Sequence, residues 1–392
     1  MLVSSALGLL TAEMGLASVI SAGLVLALVV RARSLERSHA DPQHIHVGST
    51  SRLGGVGVFV GFAAAVAIAL EFEYVPLRPA LPLLIAGLPV LAVGLWEDIT
   101  HRVSPRHRLV AAVFSAALAS TFAEGVVTRV DLAFADRWLV YLPFAVPLTC
   151  FMVAGACNAF NIIDGTNGLA GGSALLIFVG VTAVAWVSGD TLVLAQAAAM
   201  VGALAGFLLW NYPKGKVFLG DAGAYFVGFI YAELSIQLVT RNAGVSAWFV
   251  IALAAYPIAE TLFSMYRRKV VRHSAAMQPD AKHLHSLLYL YFLRSAERSP
   301  QQERRLGLVA GRYRGRERRQ QPERRANSRV APRLWLHGAL CLAMALLYHA
   351  NTPALVVFTL IYGVFYWACY RGIERLCSDN AMARRTIPTA SA

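Results

Sequence analysis

The stretch Cys157-Asn-Ala-Phe-Asn-Ile-Ile-Asp-Gly-Thr-Asn-Gly-Leu-Ala-Gly171 lies between two long apolar runs. Its polar residues Asn158, Asn161, Asp164 and Asn167 recur at every third position. Because three-residue spacing drifts slowly around a helix, these side chains are expected along one face of a short helical turn. Burying polar groups without partners costs free energy, so an apolar segment gains nothing from hosting them. The pattern therefore indicates a functional site at a membrane boundary.

The composition of the chain is typical of a membrane protein. Of its 392 residues, 57% are hydrophobic, and long uncharged runs alternate with short charged clusters. Runs of this kind cross a lipid bilayer as helices. The net charge of +13 is explained first by basic cytoplasmic loops, so nucleic acid is not expected as a partner. The five Cys form no CxxC pair, so neither a zinc site nor a disulfide framework is expected.

The hydropathy pattern predicts an all-α polytopic membrane protein with about 10–11 transmembrane helices. Several apolar runs are short or contain Gly and Pro, so a tilted or split span is expected at one or two of them. The predicted spans lie near residues 6–30, 54–72, 80–96, 107–124, 138–156, 168–188, 191–210, 219–239, 245–265, 334–349 and 353–370.

The distribution of basic residues orients these spans. All but four of the 35 Lys and Arg fall in loops that follow odd-numbered spans. The exceptions are Arg78, Arg129, Arg137 and Arg241. Because cytoplasmic loops carry the excess of Lys and Arg, the odd-numbered loops are expected to face the cytoplasm.

Four regions follow from this topology. Residues 1–293 are expected to form a catalytic transmembrane domain, and 334–371 a pair of C-terminal transmembrane helices. Between them, residues 294–333 are rich in Arg, Gln and Glu with little apolar content, so a disordered cytoplasmic loop is expected. A solvated linker is favoured for this loop over a segment that binds anionic lipid or RNA. Residues 372–392 are expected to form a cytoplasmic tail.

Polar clusters in five loops fall on the same predicted face, which indicates one cytoplasmic active site. Carboxylates together with Asn suit a hard divalent cation such as Mg²⁺, with Mn²⁺ as an alternative. Neighbouring Arg, Lys and His suit phosphate oxygens. This inventory describes a metal-bound pyrophosphate at a membrane surface, where an enzyme joins a soluble nucleotide to a lipid phosphate. The clusters lie at 41–46, 51–55, 96–98, 157–171, 214–223 and, in the fifth cytoplasmic loop, 279–285.

Each cluster also has a plain structural interpretation. Glu97 and Asp98 are compatible with a solvated helix end, and Asp221 with a helix N-cap. His283 and His285 are compatible with ordinary interfacial histidines. Their shared side of the membrane, rather than any single residue, favours the functional interpretation.

The residues resemble the polyprenyl-phosphate N-acetylhexosamine-1-phosphate transferases, glycosyltransferase family 4, over about residues 40–290. This family includes the bacterial undecaprenyl-phosphate N-acetylglucosaminyl-1-phosphate transferases. Five motifs follow in the family's order. They are Arg52-Leu-Gly-Gly55 with His46 before it, Gly94-Leu-Trp-Glu-Asp98, Asn158–Gly168, Val217-Phe-Leu-Gly-Asp-Ala-Gly223 and Pro279-Asp-Ala-Lys-His-Leu-His285.

The resemblance implies a reaction, its partners and its location. A sugar 1-phosphate would pass from a UDP-sugar to undecaprenyl phosphate with release of UMP. The active site would face the cytoplasm at the bacterial inner membrane, and the product would start a glycan such as O-antigen or capsule. A homodimer is compatible with the resemblance, which does not decide the oligomeric state.

The resemblance also implies residue roles. It assigns Mg²⁺ binding to Asn161 and Asp221. It assigns substrate binding to a second set of residues, with Asn167 contacting the uracil, and catalysis to a third set that includes an acidic pair near the lipid phosphate. The substrate set is His46, Arg52, Asn167, Lys214 and Arg272, and the catalytic set is Glu97, Asp98, Asp164, His283 and His285.

Four features depart from the family pattern and leave the sugar open. Glu97 stands where the family has Asp, and Ser49 and Ser51 replace prolines. Ser286 replaces a third histidine, which disfavours the peptidoglycan pentapeptide substrate, and Glu260 replaces a usual Asp.

Two other functions compete with this interpretation. A Mg²⁺-dependent intramembrane prenyltransferase would need two separated Asp-rich clusters, and the acidic pair at residues 97–98 is too small for one. A transporter would place charged groups at mid-helix in both halves of the chain. In this sequence the charged clusters lie instead at the predicted cytoplasmic ends of the helices, which disfavours transport.

Overall fold

The computed structural model describes residues 2–36, 50–72, 76–271, 282–305 and 316–385. These ranges are helical, apart from loops and an isolated parallel bridge between Ser51 and Val217. The helices are α1 Leu2–Glu36, α2 Gly54–Glu71, α3 Leu77–Thr100, α4 Pro105–Phe122, α5 Ala133–Leu139, α6 Leu142–Ile163, α7 Leu169–Ser188, α8 Thr191–Asn211, α9 Gly220–Arg241, α10 Ala247–Leu253, α11 Ala255–Tyr266, α12 Leu284–Arg305, α13 Arg316–Leu347 and α14 Thr352–Arg385.

The chain is an all-α polytopic membrane protein, as predicted. Among the described residues, nine helices are long and apolar enough to cross a membrane. A tenth span forms if α10 and α11, which meet at a bend of 74°, are taken together. The predicted span at 107–124 corresponds to α4, which is helical but falls outside this set. Basic residues in the first turn of α4 lower its hydropathy.

The segment 294–333, predicted as a disordered loop, is helical in its described residues. Helix α12 continues to Arg305, and α13 starts at Arg316 and runs without interruption into the span predicted from residue 334. Ala326, Val330 and Ala331 of α13 are buried. Their spacing places them on one helix face. The disorder prediction was therefore wrong for 316–333, because a narrow apolar stripe was hidden by the surrounding charges.

Helix α9 lies at the centre of the bundle. Its apolar span is buried along its whole length and is surrounded by α2, α3, α4, α6, α7 and α8. Lipid tails are as apolar as the side chains, so helices in a membrane associate through close packing of small residues. The α1–α8 contact follows this rule, because Gly202 and Gly206 of α8 lie against the backbone carbonyls of Met14 and Ser18.

The end of the bundle opposite the α9 N-terminus is held by a buried carboxylate. Asp190, only 6% exposed, caps α8 by accepting a hydrogen bond from the Val193 N–H at 3.2 Å. Its second oxygen accepts from Arg241 Nε at 3.0 Å and from Asn242 Nδ2 at 2.9 Å. These contacts join the start of α8 to the end of α9.

Candidate active site

The candidate site is built around the N-terminus of α9. Gly220 begins this helix with φ of +74°, a conformation that an L side chain adopts only with strain. A Cβ on Gly220 would also meet the Arg52 carbonyl oxygen and, at 2.6 Å, a carboxylate oxygen of Asp98. Glycine is thus required at this position by both conformation and space.

Asp98, from the last turns of α3, caps α9. Its two carboxylate oxygens accept hydrogen bonds from the backbone N–H groups of Asp221 and Ala222, each at 2.9 Å. The side chain is 8% exposed. A carboxylate at a helix N-terminus satisfies unpaired N–H groups and interacts favourably with the helix dipole. Asp98 therefore fixes the direction in which Asp221 leaves the helix.

Asp221 contacts groups from two other helices. Its Oδ1 accepts a hydrogen bond from Asn161 Nδ2 of α6 at 3.0 Å. Its Oδ2 forms an ion pair with the Arg108 guanidinium of α4. The two residues predicted as metal ligands, Asn161 and Asp221, are therefore neighbours. Arg108 shows that the Asp221 carboxylate attracts positive charge.

Asp164 lies at the end of α6, on the other side of the same helix N-terminus. Its Oδ2 accepts a hydrogen bond from the Gly220 N–H at 3.2 Å. Burial and the nearby Asp221 and Asp98 carboxylates raise the pKa of Asp164 to about 7, against the opposing effects of this N–H and of Arg52. Three carboxylates thus share one corner, which concentrates negative charge there.

The segment that carries Arg52 pairs with the segment that leads into α9. Phe218 N–H donates to the Ser51 carbonyl at 2.9 Å, and Gly54 N–H donates back to the Phe218 carbonyl at 3.0 Å. Arg52 is exposed beside this pairing. Its charge acts on both Asp98 and Asp164.

Asn167 belongs to the same site but is itself well anchored. Its side-chain Nδ2 donates to the Pro213 carbonyl at 3.2 Å, and its backbone N–H donates to Asn327 Oδ1 at 2.8 Å. The next N–H, of Gly168, donates to Asn211 Oδ1 at 2.6 Å. The loop after α6 is therefore held by α8 and α13.

His285 lies against this loop from a different part of the chain, and His283 stacks on His285. Their rings are parallel, with centroids 5.3 Å apart. His283 Nδ1 is 2.9 Å from Glu260 Oε1 of α11. His285 is 5% exposed and lies against Gly165, and its burial lowers its pKa to about 4. The stretch 164–168 thus contacts His285 directly and belongs, through Asp164, to the acidic corner.

The remaining predicted residues are placed as follows. Glu97 Oε2 accepts a hydrogen bond from the Val103 N–H at 2.7 Å, so this side chain ties the turn after α3. Lys214 is exposed in the turn between α8 and α9. His46 and Arg272 lie outside the described residues.

Several residues of the site had no role assigned from sequence. Arg108 was visible only as one of three arginines near the start of α4, and Asn211 as an Asn at the end of an apolar run. Asn327 and Trp335 gave no signal, because they lie in or next to the segment predicted as disordered. Trp335 Nε1 donates to the Gly168 carbonyl at 3.1 Å.

The site can be tested for its fit to Mg²⁺ by its donor atoms. Within the described ranges, no three His, Cys, Asp or Glu side chains are grouped so that they could hold a metal ion. Both oxygens of Asp98 and one oxygen of Asp164 are engaged by backbone N–H groups, whereas Asp221 and the amide of Asn161 lie side by side as oxygen donors. Mg²⁺ is commonly bound by one or two carboxylates together with substrate phosphates. The residues fit Mg²⁺ in that form.

Comparison with known proteins identifies a family model and several relatives that this chain resembles. Residues 80–239 match the family model described as glycosyl transferase family 4. A Bacillus subtilis protein named "Probable undecaprenyl-phosphate N-acetylglucosaminyl 1-phosphate transferase" is 23% identical over 277 residues, 69% of this chain and 75% of that protein. The Escherichia coli K12 protein named "Undecaprenyl-phosphate alpha-N-acetylglucosaminyl 1-phosphate transferase" is 28% identical over 248 residues, 62% of this chain and 66% of that protein.

A third relative, from Salmonella typhimurium and with the same name as the E. coli protein, is 29% identical over 248 residues. The matched region spans 66% of the length of the E. coli and Salmonella proteins, just under two thirds. The resemblance of this chain to the polyprenyl-phosphate N-acetylhexosamine-1-phosphate transferases of glycosyl transferase family 4 is confirmed.

Proposed function

We propose that this protein transfers N-acetylhexosamine 1-phosphate from a UDP-sugar to undecaprenyl phosphate and releases UMP. The observation that carries the proposal is the contact of Asn161 and Arg108 with Asp221 at the end of a buried membrane helix. This corner combines oxygen ligands with a guanidinium, and a nucleotide pyrophosphate needs both.

The proposed reaction is a single displacement at phosphorus. An oxygen of undecaprenyl phosphate forms a bond to the β-phosphorus of the UDP-sugar. The bond from that phosphorus to the bridging oxygen breaks, and its electron pair leaves with UMP. The second pKa of a phosphate monoester is near 6, so the attacking oxygen is largely ionised at neutral pH. No protein group is required to remove a proton.

Asp98 accordingly acts as a positioning residue in this proposal. Both of its carboxylate oxygens accept backbone N–H groups of α9, so neither is directed to a substrate proton. Asp164 is also a positioning residue in this proposal, because one of its oxygens accepts a hydrogen bond from the Gly220 N–H. Together they present Asp221 at a fixed angle.

Asn161 and Asp221 would hold Mg²⁺, with Mn²⁺ as a substitute. When bound, the ion would neutralise charge that develops on the bridging oxygen. Arg108 adds a guanidinium beside the same carboxylate. His283 and His285 are proposed to bind the pyrophosphate and sugar, and Asn167 the uracil.

The charge bias and the names of the relatives support a proposed location and a first donor to test. The basic loops favour a cytoplasmic site at a bacterial inner membrane. The names of the relatives make UDP-N-acetylglucosamine the first donor to test. The product would begin a lipid-linked surface glycan such as O-antigen or capsule.

The proposal is tested with the purified full-length protein in lipid nanodiscs. UMP release is measured with undecaprenyl phosphate, Mg²⁺ and a panel of UDP-N-acetylhexosamines. Wild type is compared with Arg108→Gln and with Arg106→Gln, an exposed arginine in the same helical turn. Because Arg108 contacts Asp221, whereas no such contact is shown for Arg106, Arg108→Gln is expected to lose at least about 100-fold in rate, the order seen when one preorganised charge-stabilising donor is removed.

Arg106→Gln is expected to keep the wild-type rate. Release of UMP that depends on the lipid phosphate supports the proposal. Absence of UMP release with every UDP-sugar, or equal rates for the two arginine variants, would overturn it. Release of pyrophosphate from a prenyl diphosphate would point instead to a prenyltransferase.

A further inference from the structure

The C-terminal helix α14 presents three tyrosines on one face, toward the rest of the protein. Tyr362, Tyr366 and Tyr370 recur every four residues and are 2%, 1% and 1% exposed. Each hydroxyl has a hydrogen-bond partner. Tyr362 Oη is 3.0 Å from His337 Nδ1 of α13, Tyr366 donates to Glu260 of α11, and Tyr370 donates to the Lys282 carbonyl, next to His283.

Tyr366 reaches His283 through one intermediate carboxylate. Its hydroxyl donates to Glu260 Oε2 at 2.8 Å, and Glu260 is fully buried. The other oxygen of Glu260 contacts His283 Nδ1 at 2.9 Å and the Leu284 N–H at 3.3 Å. A carboxylate that accepts from one imidazole nitrogen fixes the ring orientation and its tautomer. The second nitrogen, Nε2, is then the one left for contact with the substrate.

Tyr370 holds the residue next to this histidine. Its hydroxyl donates to the Lys282 carbonyl at 3.2 Å and accepts from Arg267 at 2.8 Å. The segment 282–284 is therefore anchored at its carbonyl, at its imidazole and at its N–H by groups of α11 and α14.

Helix α13 holds the other loop of the site in a similar way. Asn327 accepts a hydrogen bond from the Asn167 N–H, and Trp335 donates to the Gly168 carbonyl. The Trp335 ring also lies 4.9 Å from the Tyr212 ring, between centroids. Both helices lie outside residues 80–239, the region that matches the family model.

We propose that the C-terminal helix pair α13–α14 positions the active site, and that Tyr366, acting through Glu260, orients His283. The proposal rests on the proposed function for its catalytic meaning. Tyr366 is a positioning residue, because it touches Glu260 and not the reacting groups. The C-terminal helices thus set the geometry of both loops that face the substrate.

The test compares two isosteric changes on one helix, Tyr366→Phe and Tyr362→Phe, in the full-length protein. Each removes one buried hydroxyl, but only Tyr366 contacts Glu260. Outer-shell partners of functional groups are commonly worth 10- to 100-fold, so Tyr366→Phe is expected to lower kcat about tenfold with KM for the UDP-sugar nearly unchanged. Tyr362→Phe is expected to keep the wild-type kcat and pH profile. Both variants are expected to lose a similar amount of thermal stability, because each loses one buried hydroxyl.

A second readout does not depend on activity. The ¹⁵N chemical shifts of the His283 ring nitrogens report its tautomer, and they are expected to change in Tyr366→Phe but not in Tyr362→Phe. Glu260→Gln is expected to change the same signals. Unchanged His283 signals in Tyr366→Phe, or equal kcat in the two tyrosine variants, would overturn the proposal. If wild type releases no UMP, the ¹⁵N result still decides the coupling, so this failure is separable from failure of the proposed function.

Discussion

Substitution of Asp98 tests whether this carboxylate acts by positioning α9 or by removing a proton. In Asp98→Asn, one oxygen can still accept a backbone N–H of α9, but the amide NH₂ faces the second N–H. The change removes one charge-assisted hydrogen bond, worth about 1.5–3 kcal/mol, and a favourable charge at a helix N-terminus, worth roughly 0.3–2 kcal/mol. The expected loss of unfolding free energy is about 3 kcal/mol.

The activity should fall together with the stability. Misplacement of a reacting group by about 1 Å costs on the order of 100-fold in rate, so a comparable loss of UMP release is expected. The assay pairs UMP release with thermal unfolding in nanodiscs and with the Mg²⁺ concentration at half-maximal rate. The half-maximal Mg²⁺ concentration should rise, because Asp221 loses its alignment.

Asp190→Asn is the matched control. Asp190 also caps a helix and is similarly buried, but it lies at the opposite end of the bundle. This variant should lose similar stability while folded molecules keep the wild-type rate. If Asp98→Asn lost activity with unchanged melting temperature and unchanged Mg²⁺ dependence, proton removal by Asp98 would be favoured and the positioning role refuted.

Three further predictions concern the same site. Gly220→Ala should destabilise the protein by more than the roughly 1–2 kcal/mol of left-handed strain and abolish UMP release. Gly189→Ala, at φ of +70° but with open space for the added Cβ, should show the strain alone, and equal melting temperatures of the two variants would contradict this. Asn327→Ala should raise KM for the UDP-sugar several-fold with kcat retained, since it frees the N–H of the loop residue proposed to bind uracil; an unchanged KM in steady-state kinetics would argue against it. His285 is neutral when folded, with a pKa near 4 against 6.5 when unfolded, so its contribution to stability is complete above pH 6.5 and is lost as pH falls toward 4. Thermal unfolding from pH 7 to 4.5 should show a shallower decline in His285→Gln, in which Glu260 and His283 remain as the neighbouring charges.

The sequence predicted the membrane architecture because apolar runs of bilayer length carry a strong signal. It also predicted which loops meet, since Asn161, Asp164 and Asp221 occupy ends of helices on one side of the membrane. The adjacency of Asn161 and Asp221 confirms that these two motifs form one corner. Whether they bind a metal stays a prediction.

Contacts that depend on tertiary packing could not be predicted from the sequence. The two hydrogen bonds of Asp98 to α9 join residues 123 and 124 positions apart, and no local pattern encodes such a pairing. Asn327 was hidden for another reason, because Arg-rich composition around it outweighed a narrow buried stripe. The same stripe explains why α13 continues as one helix into the membrane.

The metal-binding role of Asn161 and Asp221 is decided by UMP release from UDP-N-acetylglucosamine and undecaprenyl phosphate in wild type, Asp221→Ala and Asn161→Ala. Mg²⁺-dependent UMP release, equal in amount to the lipid-linked product, is expected from wild type only. Both variants should remain folded in the membrane by thermal unfolding. Normal turnover by both variants would contradict the assignment of this corner as the metal-binding centre of a sugar-1-phosphate transferase.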